Sequence, residues 1–225
     1  MIKPLQTLII EDHPFIVEGY IRVLEQMALK NSILNFKITV AKNCDEANAE
    51  IEFATHHHVI DLVFLDISLP PSNDREFLSG DDLGIKIKSL FPKVKIIIVT
   101  HLDNNYRLVN ILKTIKPDGL LLKSELNSQS LSEGVLNIIN GTPSYSNSIL
   151  KLVRQHLSND FNLDDIDRKM LYHLSQGTKT KELTEVVHLS QSGIESRKRR
   201  LNQIFNNDKR TDKALLRLAK ESGFL

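Results

Sequence analysis

Four short apolar runs, each closing on residues able to do chemistry, constrain this chain more than any other feature. "TLIIED" ends on Glu11 and Asp12, "DLVFLD" on Asp66, "VKIIIVT" on Thr100 and "DGLLLK" on Lys123. Apolar runs of this length without polar alternation fit strands covered on both faces, as in a parallel sheet flanked by helices. In an open sheet of that kind the carboxyl ends of the strands form the ligand crevice. Glu11, Asp12, Asp66, Thr100 and Lys123 are therefore expected to converge although they lie far apart in sequence.

The intervening segments carry helical spacing. Phe15, Ile16, Gly19, Tyr20, Val23, Leu24 and Met27 repeat at three and four, which predicts an amphipathic helix over residues 14–29. Ile38 to Ala41 reads as a further strand and residues 45–54 as a second helix. After Asp66 comes a loop rich in Pro, Ser, Asn and Asp, then a helix through Leu83, Ile85, Ile87 and Leu90 that Pro92 stops. Helices near 104–114 and 127–139 complete five β/α units, an α/β class with a doubly wound five-stranded parallel sheet. This first domain is expected over residues 1–140. Residues 141–162 read as a linker holding about one set of helical turns. Residues 163–225 are helical throughout, a second, smaller all-α domain.

Charge supports the division. Residues 1–150 hold 14 Lys and Arg against 18 Asp and Glu, a net of −4, while residues 151–225 hold 15 against 10, a net of +5. A basic C-terminal module points weakly to a polyanion such as nucleic acid. The single cysteine, Cys44, excludes an intrachain disulfide and any cysteine-based zinc cluster. The N-terminus lacks the pattern of a signal peptide, and no apolar run approaches the ~20 residues of a membrane helix. A cytoplasmic protein with no membrane partner is expected. The triplet His56, His57 and His58 reads as a solvated helix end, because consecutive residues cannot readily face one metal.

Three carboxylates crowded at strand ends repel one another unless a positive charge sits among them. Mg²⁺ suits such a site, since it takes a few carboxylate oxygens, keeps waters and can bind a phosphoryl oxygen. Lys123 supplies a second positive charge, and the Thr100 hydroxyl can reach a phosphoryl oxygen if its loop moves inward. Asp66 stands alone on the central run and is the best nucleophile, able to accept a phosphoryl group as a mixed anhydride.

With these residues in order along the chain, residues 5 to 140 resemble the receiver domain of a two-component response regulator, a flavodoxin-like fold. The family pattern is an acidic pair after the first strand, a phosphoacceptor Asp after the third, Ser or Thr after the fourth and Lys after the fifth. Glu11 and Asp12, Asp66, Thr100 and Lys123 fill those places. The resemblance implies that a sensor histidine kinase phosphorylates Asp66 with Mg²⁺ held by Asp12, Asp66 and the carbonyl of Ser68, Glu11 acting mainly through metal-bound water. Three features depart from the family. Leu120 replaces the usual aromatic switch residue, which leaves coupling to aliphatic packing or to another residue such as Tyr106. His101 follows Thr100 where a smaller side chain is usual. The loop "SLPPSNDREFLSG", Ser68 to Gly80, is longer than the common form, and its readings are kinase selection, shielding of the acyl phosphate, or an inert insertion.

In the C-terminal domain, Ile194, Leu201 and Phe205 mark the buried side of a helix, with Ser192, Ser196, Arg199 and Gln203 on the opposite side. That stripe suits base edges in a DNA major groove, with Arg199 suited to guanine, while Arg197, Lys198 and Arg200 flank it and can hold phosphates. Gly177 is placed to end the first helix of the domain and Ser190 to cap this one. The stretch from "DDIDRKML" to "LNQIF" resembles the LuxR-type helix-turn-helix domain. Gly193 and Glu195 depart from that pattern, Glu195 standing where Lys is frequent.

Together these readings predict a response regulator that binds double-stranded DNA, pairing as a homodimer on activation. The alternative is a phosphorylation-controlled adaptor whose helical domain binds protein. A magnesium-dependent phosphatase turning over through Asp66 commonly carries a second acid two residues after its nucleophile; Ser68 holds that place, so no enzyme is expected.

Overall fold

The computed structural model describes residues 3–101, 105–158, 163–222 and 224–225. Its first unit is a parallel sheet of six strands in the order β2-β1-β3-β4-β5-β6: β1 (Leu5–Ile10), β2 (Phe36–Ala41), β3 (Leu62–Leu65), β4 (Lys95–Thr100), β5 (Gly119–Leu122) and β6 (Ser144–Tyr145). Between them run α1 (Pro14–Lys30), α2 (Cys44–His57), α3 (Gly80–Leu90), α4 (Asn105–Thr114) and α5 (Ser128–Ile139). All four residues of β3 are buried, as a central strand covered on both faces requires.

The helices begin where local chemistry allows. Pro14 opens α1, where its missing N–H costs nothing. Asn43 caps α2 by accepting from the Glu46 N–H, and Asn127 with Ser130 forms a reciprocal capping box on α5. The buried face of α1, Val17, Tyr20, Val23, Leu24 and Met27, packs in one cluster with Ile9, Phe64, Val99 and Leu121 from the sheet and with Leu131, Val135 and Ile138. The triplet at the end of α2 is a solvated helix end, with the His57 ring stacked on Phe53 at 3.9 Å.

Two differences from the sequence expectation concern the sheet edge. The sheet has six strands rather than five, because Ser144 and Tyr145 pair in parallel with Gly119 and Leu120. A further helix, α6 (Asn147–Ser158), follows at once, so most of the stretch read as a linker is regular structure. The Gly, Pro and Ser content of "NGTPSYSNS" marked the turn but concealed a two-residue strand, too short to show a period.

The loop from Ser68 to Gly80 is held by its own bonds. Ser72 is buried; its N–H donates to the Phe77 carbonyl at 2.8 Å, and its hydroxyl accepts from the Phe77 N–H and donates to Asp74. Asn73 donates to Asp45 on α2, and the Phe77 ring is buried beneath the Lys86 ammonium.

The second unit contains α7 (Asp165–Ser175), α8 (Leu183–Val187), α9 (Gln191–Ile204) and α10 (Asp212–Glu221). Two small cores hold it: Leu163, Leu171, Leu201, Phe205, Leu215, Ala219 and Phe224 form one, and Met170, Leu174, Leu183, Val187 and Ile194 the other. Gly177 takes the left-handed conformation after α7, and Ser190 caps α9 through the Gly193 N–H, both as expected. Among the described residues no helix is long and apolar enough to cross a membrane.

Asp118 fastens the amino ends of β4 and β5, accepting from Lys95 at 2.9 Å, from the Ile96 N–H at 3.1 Å and from Lys88 at 3.4 Å. Burial alone would raise its pKa, but these donors outweigh burial and hold the carboxyl below its usual value. A depressed folded-state pKa gives stability that is complete above the unfolded value of about 3.9 and is lost as pH falls through the lower folded value. Asp118→Asn is expected to weaken the first unit at neutral pH and to lessen its loss of stability in acid, measured by chemical denaturation at a series of pH values.

Candidate functional site

β1 and β3 end side by side, Ile10 in register with Leu65, which brings Glu11 and Asp66 together. Both are buried, at 1% and 3% exposure. From the end of β5, Lys123 inserts its ammonium between them, 2.6 Å from Asp66 Oδ2 and 2.7 and 2.9 Å from the two Glu11 oxygens. The lysine side chain is 5% exposed, so the three charges form a buried cluster in which a single cation serves two carboxylates. Asp66 Oδ1 accepts from the Ser68 N–H at 2.9 Å, and this fixes the carboxylate plane. Asp12 lies at the rim with its side chain 34% exposed.

Thr100, at the end of β4, is fully buried, and its neighbour in register is Leu122. His101 is exposed. Leu120 is fully buried opposite Ile98, an aliphatic contact in place of a ring. Tyr106 lies outside the residues whose side chains are described.

Three contributors to this crevice carried no clear signal in the sequence. His13 places Nδ1 2.7 Å from Asp12 and 3.0 Å from Glu11, and Asp12 chiefly, with Glu11, raises its pKa. Gly80 opens α3 against the strand end: a Cβ there would lie 2.1 Å from the Asp66 carbonyl oxygen, so only glycine allows the helix this approach. Tyr20 lies buried under the crevice, its ring stacked on Phe64 at 5.3 Å. Oxygens or nitrogens of Glu11, Asp12, His13 and Asp66 all come within 4.8 Å of one another, an arrangement that can hold a metal ion. Three of the four donors are carboxylates, which matches a hard divalent cation.

On α9 the expected stripe is intact: Ser192, Ser196, Arg199 and Gln203 are all exposed, and Ile194, Leu201 and Phe205 are buried. The flanking basic residues are engaged within the domain. Arg197 donates to Asp164 at 2.6 Å and to Asp167 at 2.8 Å, Arg200 donates to Asp167 at 3.1 Å, and Lys198 reaches Asp212 at 2.6 Å and Thr180 at 3.0 Å. Asp167 is fully buried, so the arginines answer a charge that the capping of α7 has placed inside. Glu195 is exposed, with Gln191 one turn before it donating at 3.5 Å. Arg199 also lines an open cleft of about 460 Å³ with Asn202, Gln203 and Arg210.

The family model of the response regulator receiver domain matches residues 7–133. A structure of two RcsB dimers bound to two parallel DNAs is 20% identical, with 97% of this chain and 98% of that chain covered and a TM-score of 0.63. RcsB from Salmonella enterica serovar Typhimurium, bound to promoter P1flhDC in the presence of phosphomimetic BeF3-, is also 20% identical, with 96% and 98% covered and a TM-score of 0.63. A CheY-like response regulator receiver domain protein from Methanospirillum hungatei JF-1 is 22% identical, with 62% and 96% covered and a TM-score of 0.50. No curated protein matches. At these identities the likeness is one of fold, and it extends through both units.

The ion pairs separate two arginines that look alike in sequence. Arg197→Ala removes a partner of a fully buried carboxylate and is expected to cost about 3 kcal/mol in the stability of the second unit. Arg199→Ala, at an exposed site, should stay within about 0.5 kcal/mol of wild type. Thermal denaturation of both variants checks the difference.

Proposed function

Because the chain belongs to the response regulator receiver family, we propose that it accepts a phosphoryl group on Asp66 from a sensor histidine kinase and in that state regulates transcription by binding double-stranded DNA. The observation that carries this reading is the Lys123 ammonium, buried against both Asp66 and Glu11 at the strand ends. An Asp66 oxygen attacks phosphorus, a P–O bond forms, and the P–N bond of the donor phosphohistidine breaks with its electron pair leaving on the imidazole nitrogen. Lys123 holds the carboxylate in place and is in position to follow the charge onto the phosphoryl oxygens. Thr100 donates its hydroxyl to the same group in the active state.

The oxygen-rich donor set fits Mg²⁺, with Asp12, Asp66 and the Ser68 carbonyl as its holders and Glu11 reaching it through water. When bound, the ion offsets carboxylate repulsion and ligates the incoming phosphoryl group. The two folded units divide the work: residues 1–140 receive the signal, residues 141–162 connect, and residues 163–225 read DNA. Arg199, with Ser192, Ser196 and Gln203, is assigned to base edges. Arg197, Lys198 and Arg200 assist at phosphates only as far as their internal ion pairs permit. The fold shared with RcsB dimers on DNA supports a homodimer as the active form. We place this role in the cytoplasm, as a regulator rather than an enzyme.

Acetyl phosphate with Mg²⁺ is expected to label wild type and leave Asp66→Ala unlabelled; equal labelling would remove Asp66 as acceptor. The labelled protein should sediment as a heavier species and bind DNA more tightly, and identical behaviour before and after labelling would end the switching reading.

The engaged state of Arg197, Lys198 and Arg200, together with exposed Glu195, favours one second reading, an adaptor whose helical domain binds protein. Salt dependence separates the two. A DNA regulator with several phosphate contacts loses affinity steeply as salt rises, and Arg199→Ala should cost about 1–3 kcal/mol of base discrimination. Failure to recover any preferred sequence from genomic fragments would favour the adaptor.

A further inference from the structure

The Tyr20 hydroxyl is a buried polar group with no hydrogen-bond partner. The residue is 4% exposed and belongs to the core face of α1, where every other buried member is aliphatic or Met. Its ring stacks on Phe64, two residues before Asp66 on the same strand. An apolar side chain would fill the same space without stranding a donor, so the hydroxyl calls for a purpose.

Glu11 supplies one. Its carboxylate is 1% exposed, and in this structure it depends on Lys123, which contacts both of its oxygens. The other donor beside it, His13, is shared with Asp12 and has its side chain 61% exposed. Under the reading proposed above, phosphorylation draws the Lys123 ammonium toward the new phosphoryl oxygens. Glu11 then loses its main counter-charge while remaining buried, an arrangement that needs a replacement donor. Burial, followed by the fields of Glu11 and Asp66, keeps the Tyr20 phenol protonated well above its usual range, so the group stays a donor.

We propose that Tyr20 is a positioning residue of the phosphorylated state, its hydroxyl donating to Glu11 when Lys123 moves onto the phosphoryl group. The hydroxyl is unmatched before phosphorylation and matched afterwards, and that difference favours the active state. Tyr20 touches neither phosphorus nor metal; it acts through Glu11.

The chain has no Trp and four Tyr, so its near-ultraviolet spectrum reports tyrosine alone. The test adds beryllium fluoride with Mg²⁺ to the full chain, wild type and Tyr20→Phe. Wild type should show a red-shifted tyrosine difference band on binding, and Tyr20→Phe should lack it. Tyr20→Phe should bind beryllium fluoride roughly 3- to 10-fold more weakly, the loss of about one hydrogen bond, while its unliganded melting temperature is unchanged or higher. Equal affinity with the same difference band in both proteins would overturn the inference and leave Asp66 phosphorylation standing. A lower unliganded melting temperature in Tyr20→Phe would also overturn it, by showing that the hydroxyl already has a partner. If wild type itself fails to bind beryllium fluoride, the phosphoacceptor reading falls and this inference falls with it.

Discussion

A lysine ammonium shut between two carboxylates is the interaction on which the first unit is organised. Lys123 lies at 5% exposure with Glu11 and Asp66 more deeply buried still. Such a cluster persists only if the backbone delivers all three groups accurately, since a charge stranded in the interior costs several kcal/mol. The parallel sheet meets that demand because its strands end at one level: Ile10 pairs with Leu65, and Thr100 with Leu122. Gly80 lets α3 close against the Asp66 carbonyl, and the Ser68 N–H orients the carboxylate from the loop side. Chemistry and folding share the same contacts here. A group that arrives on Asp66 must renegotiate a balance already in place.

The second unit repeats the device with the signs exchanged. Asp167, buried where α7 begins, gathers Arg197 and Arg200 from α9, and Asp164 takes the other side of Arg197. Burial and then the arginine contacts set the Asp164 carboxyl, with a net shift below the usual range. The run "RKRR" is therefore largely a fastening between two helices. What α9 turns to solvent is a polar stripe with Arg199 as its cation, and this favours recognition by shape and hydrogen bonding over a uniformly basic face.

Much of this could be read from the chain because apolar runs and strand-end polar residues are local patterns. Asp66, Thr100 and Lys123 each close a run, so their convergence follows once the runs are parallel strands. The exposed stripe on α9 follows from a period of 3.6 and needed no structure to locate. Other features depend on pairings that no local pattern encodes. His13 looks like an ordinary loop residue until Asp12 and Glu11 flank it, and Tyr20 counts as one more apolar position until the partnerless hydroxyl is seen. The fate of Arg197 turns on Asp167, 30 residues away. Strand β6 was missed for a simpler reason, being only two residues long.

That short strand decides where the first unit ends. The Ser144 N–H donates to the Asp118 carbonyl, the Ser146 N–H to the Leu120 carbonyl, and the Ser146 hydroxyl accepts from the Leu122 N–H. A fragment stopped after α5 would leave this row of β5 groups bare, a template for pairing with the same row on another molecule. Self-association seen in such a fragment would reflect the missing cover and not the signalling state, and a fragment extended through Ser146 keeps the border sealed.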